Sequence, residues 1–207
     1  MYLNQKDGWI EVITGPMFAG KTEELLRRVK RLEYAKKHIV VFKPLLDNRF
    51  SDGEVVSHSD RRTKSVNISF ARQIFDYIDD MTEVVVVDEI QFLDQEAVEI
   101  VEYLASIGVR VIVSGLDKDF RGEPFSFMPK LLSLAEYVTK LTAICVKCGR
   151  PATRTQRIVN GKPARYQDPI VLIGAEESYE ARCRSCHKVY RKPNLYKGRI
   201  RKANGSQ

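Results

Sequence analysis

The sequence lacks any long hydrophobic run. No stretch approaches the ~20 apolar residues that a membrane-spanning helix needs, and the first eight residues lack the apolar segment of a signal peptide. We therefore expect a cytoplasmic protein without a membrane partner. With 207 residues, of which 43% are hydrophobic, the chain is too short for two full-sized domains. We expect one α/β core with a small appendage.

Acidic residues are missing from the C-terminal stretch 188–207, which holds seven lysines and arginines. The other 27 basic residues are matched by 27 aspartates and glutamates, so the net charge of +7 comes from this stretch alone. The body of the protein is neutral, and its charge gives no reason to expect a nucleic-acid partner. We predict that the basic tail, residues 192–207, is disordered.

Segments typical of strands and helices alternate through the first two thirds of the chain. Glu83–Asp88 is an almost continuous run of valines, as in a strand that is covered on both faces. Further strands are predicted at Trp9–Thr14, His38–Lys43 and Val109–Ser114, and helices at Lys21–Lys37 and Asp94–Ser106. This alternation predicts a mainly parallel sheet, which binds ligands at the carboxyl ends of its strands. The polar residues 45–68 are predicted to form a loop.

The first predicted strand leads into a loop of the form Gly-x-x-x-x-Gly-Lys-Thr, and a helix follows. The loop consists of Gly15, Pro16, Met17, Phe18, Ala19, Gly20, Lys21 and Thr22. In such a loop the backbone N–H groups and the positive end of the helix converge, which favours a bound polyphosphate. Lys21 is expected to reach the β and γ phosphates of ATP, and Thr22 to ligate Mg²⁺. The alternative is a turn that binds nothing.

The second half of such a site is an acidic residue at the end of an apolar strand, and here Asp88 and Glu89 follow the valines. Neighbouring side chains at a strand end point in different directions. Asp88 can therefore face Mg²⁺ while Glu89 faces an acceptor as a general base. The alternative for Glu89 is a solvated carboxylate. Such a glutamate does not separate a kinase from an ATPase, in which it would orient a water.

All four cysteines occur in two Cys-x-x-Cys pairs, Cys145 with Cys148 and Cys183 with Cys186. This spacing is typical of a four-thiolate zinc site, although the 34 residues between the pairs exceed the common spacing. Four thiolates leave no position for water, so we predict a structural Zn²⁺. Redox-active thiols are the alternative. His187 is treated as a surface residue.

These patterns divide the chain into three parts. Residues 1–142 are predicted to form the P-loop ATP-binding core. Residues 143–191, which we call the accessory lobe, are predicted to be a zinc-clipped lid, with strand-like segments at Arg154–Val159 and Ile170–Ile173. The basic tail follows.

Together the motifs resemble thymidine kinases of the zinc-containing, tetrameric type over nearly all of residues 9–190. The resemblance rests on the phosphate loop, Asp60-Arg61, Asp88 to Phe92, Gly115 to Phe125, the two cysteine pairs and Gly174 to Tyr179. It implies a P-loop core with a zinc-ribbon-like lasso lobe. It also implies transfer of the ATP γ-phosphoryl group to the 5′-hydroxyl of thymidine or deoxyuridine, giving dTMP and ADP for DNA synthesis, in a homotetramer that dTTP inhibits.

The resemblance also implies roles for single residues. Glu89 matches the catalytic base, and Arg61 matches an arginine that stabilises charge on the transferring phosphate. Asp88 and Gln91 fall among the phosphate-binding residues. The implied nucleoside pocket consists of Met17, Phe92, Leu116, Phe120, Phe125, Ile170, Val171, Leu172, Ile173, Gly174 and Tyr179. On spacing alone, Phe120 and Phe125 would be core residues.

Two other functions are carried as alternatives. A P-loop ATPase whose zinc ribbon binds nucleic acid would hydrolyse ATP in response to DNA or RNA, and a nucleotide sensor would not need Glu89. The zinc-clipped lid favours the kinase, because a transferase must exclude water from its site.

Overall fold

The computed structural model describes residues 8–45, 54–56, 62–171 and 177–193. The strands in these ranges are β1 (Trp9–Thr14), β2 (Ile39–Pro44), β3 (Glu54–Val56), β4 (Arg62–Lys64), β5 (Val66–Ile68), β6 (Val84–Val87), β7 (Arg110–Gly115), β8 (Tyr137–Lys140), β9 (Ala143–Ile144), β10 (Pro151–Ala152), β11 (Arg154–Val159), β12 (Lys162–Pro163) and β13 (Glu177–Arg182). The α-helices are α1 (Lys21–Tyr34), α2 (Glu96–Ser106) and α3 (Met128–Leu134), and two 3₁₀ helices cover Ala71–Asp76 and Ile90–Phe92.

A six-stranded sheet forms the centre of the core, with the strand order β5-β2-β6-β7-β1-β8. All neighbouring strands in it are parallel, which confirms the predicted α/β fold. Strands β6, β7 and β1 are adjacent in this order, so their carboxyl ends lie side by side at one edge of the sheet. This edge brings the phosphate loop, Asp88 and Leu116 together.

The sheet is covered on both faces. Helix α1 packs on one face through Leu25, Leu26, Val29 and Leu32, against Ile13, Val41, Val84, Val86 and Ile112 of the sheet. Helices α2 and α3 and the first 3₁₀ helix pack on the other face, where Val12, Val85, Val87 and Val113 are fully buried. Burial of each such valine or leucine contributes roughly 1.5–3 kcal/mol. The valine-rich strand is therefore apolar at every position because both of its faces are covered.

The boundaries of the predicted helices and strands agree with those in the structure to within a few residues. The largest difference is in α1, which ends at Tyr34 instead of Lys37. The loop predicted for residues 45–68 is wrong where the structure describes it, because β3 and β4 pair as a hairpin and β5 extends the sheet. Strands of three residues contain too few alternations to stand out in a sequence. Strand β8 was not predicted either, because at an exposed edge its side chains are largely accessible.

The accessory lobe is built from short antiparallel strands. Strands β9 and β10 form one pair, and β12-β11-β13 form a three-stranded sheet. Strand β11 lies where it was predicted, whereas Ile170 and Val171 are not in a strand and Leu172–Ile173 lie outside the described residues. The three-part division of the chain stays a prediction.

One residue of the predicted disordered tail has a defined place, because Lys192 donates a hydrogen bond to the Arg121 carbonyl at 2.6 Å. Residues 194–207 lie outside the described part of the chain. None of the described helices is long and apolar enough to cross a membrane.

Candidate active site and four-cysteine cluster

The phosphate loop joins β1 to α1 through backbone conformations that only some residues adopt easily. Gly15 and Gly20 have φ values of 152° and 80°, and Phe18 has a φ of 65°. Gly15 also has no room for a side chain, since a Cβ there would lie 2.6 Å from the Leu141 carbonyl oxygen. Lys21 is buried and its Nζ donates to the Pro16 carbonyl at 3.1 Å, so its ammonium group lies against the loop.

Asp88 is buried at the end of β6, beside the start of α1. Its carboxylate accepts hydrogen bonds from the Ser114 hydroxyl, from the Glu89 N–H at 3.0 Å and from the Thr22 hydroxyl at 3.4 Å. Burial, and to a smaller extent the neighbouring Glu89 carboxylate, raises the pKa of Asp88 to about 6. A divalent cation would favour the ionised form, and Thr22 and Asp88 are close enough to share one.

Glu89 is held by a relay of hydrogen bonds. It has a φ of 52° and precedes the 3₁₀ helix Ile90–Phe92. The Gln91 side-chain amide donates to the Glu89 carboxylate at 2.6 Å, and the Gln91 carbonyl oxygen accepts from the Leu116 N–H at 3.2 Å. Gly115 leaves space for this amide, since a Cβ there would lie 2.4 Å from Gln91 Oε1. In the described contacts Gln91 orients Glu89, and its assignment to the phosphates stays a prediction.

A cavity of about 410 Å³ opens beside Glu89, within the size range of small-molecule sites. It is lined by Met17, Lys43, Glu89, Phe92, Leu116, Lys118, Asp119, Phe120, Phe125, Thr155, Ile170, Val171 and Tyr179. All eight nucleoside-pocket residues that the structure describes are therefore brought together around one cavity. Phe120 and Phe125 are also buried, so each of them both packs in the core and lines the cavity.

Four predicted site residues, Arg61, Leu172, Ile173 and Gly174, lie outside the described residues. Four lining residues were missed. Lys43 ends a predicted strand and could have been found, because the carboxyl ends of parallel strands meet. The position of Thr155 depends on how the accessory lobe docks, for which the sequence gives no signal, and Lys118 and Asp119 lie within the Gly115–Phe125 motif without having been assigned a role.

The loop that follows β7 forms one wall of the cavity and is braced from within. Asp119 Oδ1 accepts hydrogen bonds from the backbone N–H groups of Arg121 and Glu123, at 2.9 and 3.0 Å. Burial raises the pKa of the Asp119 carboxyl. These bonds hold Phe120, whose ring lies in the cavity wall, in a tight turn.

The accessory lobe touches the core at the phosphate loop and at this wall. The Met17 N–H donates to the Thr155 hydroxyl at 3.0 Å, and Ala19 packs on the small apolar cluster around the cysteines. His187, expected to be a surface residue, is partly buried, and its Nε2 lies 2.8 Å from the Phe120 carbonyl, to which it donates. The lobe thus contacts both the phosphate side and the cavity side of the site.

The four cysteines converge, with all their sulfur atoms within 4.8 Å of one another. Cys148 Sγ lies 3.6 Å from the sulfurs of both Cys183 and Cys186. Tetrahedral Zn²⁺ with bonds of ~2.3 Å would place its sulfurs about 3.8 Å apart, so the cluster fits zinc. Arg150 Nε lies 3.4 Å from Cys148 Sγ, and this contact lowers the pKa of the Cys148 thiol to about 6.

A phosphate loop facing a buried strand-end aspartate, with an apolar cavity beside it, defines a P-loop nucleotide-binding protein with a second ligand site. The family model described as thymidine kinase matches residues 8–187. The chain therefore belongs to the thymidine kinase family. Membership implies a kinase whose substrates are ATP and thymidine.

Proposed function

We propose that the chain is a thymidine kinase of the zinc-containing type, which transfers the γ-phosphoryl group of Mg·ATP to the 5′-hydroxyl of thymidine or deoxyuridine. One observation carries the proposal. Glu89 lines the apolar cavity, while the adjacent Asp88 contacts Thr22 of the phosphate loop. Asp88 and Glu89 therefore lie between two sides of a single site: a donor side for ATP, which gives the phosphoryl group, and an acceptor side for the nucleoside, which receives it.

On the donor side, the backbone of the phosphate loop and Lys21 would hold the ATP phosphates. Mg²⁺ would be held by Thr22 and Asp88, where it neutralises charge on the β and γ phosphates. Arg61 is proposed to stabilise the charge that develops during transfer. These roles rest on the loop geometry, on the bond between Thr22 and Asp88 and, for Arg61, on the family resemblance.

On the acceptor side, Glu89 would take the proton of the 5′-hydroxyl as general base. The 5′-oxygen then bonds to the γ-phosphorus, the bond from that phosphorus to the β–γ bridging oxygen breaks, and ADP leaves. Gln91 supports this step because its amide fixes the direction of the Glu89 carboxylate. Phe120 and Phe125 would pack on the base, and Ile170 and Val171, which also line the cavity, would cover it and keep water out.

The Zn²⁺ in this proposal is structural, since four thiolates leave it no open position. The zinc clip would anchor β13, which carries Tyr179 into the cavity wall. Assembly as a homotetramer and inhibition by dTTP follow from the family resemblance. Light scattering of the zinc-loaded protein and thymidine titrations at several dTTP concentrations test these two points.

A coupled assay of ADP release tests the proposed function. Thymidine should trigger ADP release and form dTMP, and deoxyuridine should act as a second acceptor. The matched control is 5′-deoxythymidine, which keeps the base and sugar but lacks the accepting hydroxyl; it should inhibit without releasing ADP. ATP hydrolysis that responds to DNA or RNA, with no phosphorylated nucleoside, would instead support the ATPase alternative.

A further inference from the structure

Two arginines meet at the ring of Phe120 in the cavity wall. The guanidinium carbon of Arg157 lies 5.2 Å from the ring centroid, and that of Arg121 lies 5.5 Å from it. Arg157 comes from β11 of the accessory lobe, whereas Arg121 belongs to the braced loop after β7. Guanidinium groups stack favourably on aromatic rings. One cation from each region of the molecule therefore contacts the same ring.

The same two guanidinium groups donate to consecutive backbone carbonyls. Arg121 donates to the Asp168 carbonyl at 2.9 Å, and Arg157 donates to the Pro169 carbonyl at 2.6 Å. Ile170 and Val171 come next in the chain, and both line the cavity. The two bonds therefore fix the start of this segment at a set distance from Phe120.

The burial of Arg157 indicates a role beyond filling space. Arg157 is 1% exposed, and a buried guanidinium costs free energy unless it is hydrogen-bonded and packed. An apolar side chain would fill the space without that cost. Arg121 is only partly buried, and its guanidinium carbon also lies 5.0 Å from the centre of the Tyr166 ring. Its loss should therefore disturb the fold less.

We propose that Arg121 and Arg157 form an arginine clamp that positions Ile170 and Val171 over the bound nucleoside and thereby determines its affinity. Both are positioning residues and act through Phe120 and the carbonyls of residues 168 and 169. Ile170 and Val171 are 41% and 45% exposed, so a nucleoside in the cavity has apolar surface there to cover. The clamp rests on the proposed function for the identity of the nucleoside.

The first test compares Arg121→Met and Arg157→Met with the wild-type chain, all loaded with zinc. The Kd and KM for thymidine should each rise about tenfold, because each variant loses a charge-assisted hydrogen bond. The Kd of a non-hydrolysable ATP analogue and the kcat at saturating thymidine should change by less than about twofold, since the contacts described for the two arginines involve Phe120, Tyr166 and the carbonyls of residues 168 and 169. Arg157→Lys, which keeps the positive charge and one donor nitrogen, should recover part of the affinity.

Arg182→Met is the matched control. Arg182 is also a buried arginine of the accessory lobe, but it bonds Glu180 on its own strand. Its replacement should lower the melting temperature without raising the thymidine Kd. Equal losses of thymidine affinity in the control and in the clamp variants would show that the clamp variants act only by destabilising the accessory lobe. That result would overturn the proposal.

Amide hydrogen exchange at residues 170 and 171 provides a readout independent of activity. Exchange there should be faster in Arg121→Met than in wild type, and unchanged in Arg182→Met. A folded Arg121→Met chain with unaltered exchange and a thymidine Kd within about twofold of wild type overturns the clamp, even if Arg157→Met does not fold. If the wild-type chain phosphorylates no nucleoside, the proposed function fails. The exchange rates would still show whether the two arginines hold residues 170 and 171 in place.

Discussion

The core and the accessory lobe are stabilised by different means. In the core, valines, leucines and isoleucines are buried on both faces of a six-stranded sheet. In the accessory lobe, the buried cluster around the cysteines consists of Ala143, Cys145, Ala152, Ala181 and Cys183. Small side chains bury little apolar area, so this lobe has much less hydrophobic stabilisation to offset the entropy of ordering its chain.

The two regions contribute different residues to the proposed site. The phosphate loop, Asp88 and Glu89 all belong to the part that hydrophobic burial holds together. Thr155, Ile170, Val171 and Tyr179 come from the accessory lobe, which contains the four-cysteine cluster. We therefore expect that removal of the proposed Zn²⁺ weakens nucleoside binding before it weakens ATP binding.

The largest effect is expected from Glu89→Gln, a change confined to the core. It removes the general base while keeping the size of the side chain, so kcat should fall about 1,000-fold. The Kd of ATP and the zinc content should stay at wild-type values, as measured by calorimetry and metal analysis. A kcat close to that of wild type would show that Glu89 is not the base.

A smaller but still large effect is expected from Cys183→Ser, which removes one of the four proposed zinc ligands. Thymidine affinity should fall about 100-fold as the lobe loosens, while ATP binding is retained. Ser185→Ala, in the same turn, is the control and should leave both affinities unchanged. Loss of ATP binding together with thymidine binding would contradict the separation of the two regions.

Arg150→Gln tests the electrostatics of the cysteine cluster alone. The Arg150 side chain contacts the sulfurs of Cys148 and Cys183, at 3.4 and 3.8 Å, and would offset the negative charge of four thiolates bound to the proposed Zn²⁺. Without it, zinc transfer to a coloured chelator should be about tenfold faster, and Arg150→Lys should lie between the two. Equal transfer rates in all three chains would show that the arginine has no influence on the metal.

The smallest effect is expected on the surface of α1. Hydrogen bonds from Arg27 and then Arg28 lower the pKa of Glu24 to about 2. Its folded pKa is below its unfolded pKa, so its stabilisation is present above pH 4.5 and is lost as the pH falls towards 2. Glu24→Gln should lower the unfolding free energy at pH 7 by less than about 1 kcal/mol, because solvent screens the pairs.

Urea unfolding between pH 7 and pH 3 measures this contribution, and the difference from wild type should shrink as the pH falls. Glu23→Gln removes the same charge from the same turn without breaking these ion pairs, and serves as control. Zinc retention at pH 7 should be identical in both variants, since α1 is outside the accessory lobe.

The sequence predicts those parts of the molecule that depend on neighbours along the chain. A buried parallel strand such as Val84–Val87 must be apolar throughout, and a phosphate loop needs glycines at fixed positions, so both leave a local pattern. The cysteine cluster was predicted for the same reason, because the spacing within each pair brings two sulfurs to one point. The composition of the cavity came from the family resemblance, and the structure brings its described members together.

Contacts between segments that are far apart in the sequence leave no such local pattern. Gln91 reaches both Glu89 and the Leu116 N–H only because β6 and β7 are neighbours. Arg157 meets Phe120 only because the accessory lobe folds back onto the core. A single sequence does not record which distant side chains will meet, so both residues were missed in these roles.

The crowding of Gly15 by the Leu141 carbonyl has a practical consequence for recombining this protein with relatives. The chain passes from sheet to lobe directly over the phosphate loop, and the Leu141 N–H is bonded to the Thr14 carbonyl at 2.7 Å. A chimera should therefore place its junction after this pair, so that both residues come from one parent. Peptide tags and fluorophores belong at the Asn160-Gly161 hairpin tip, where a Cβ built on Gly161 meets nothing within 4 Å.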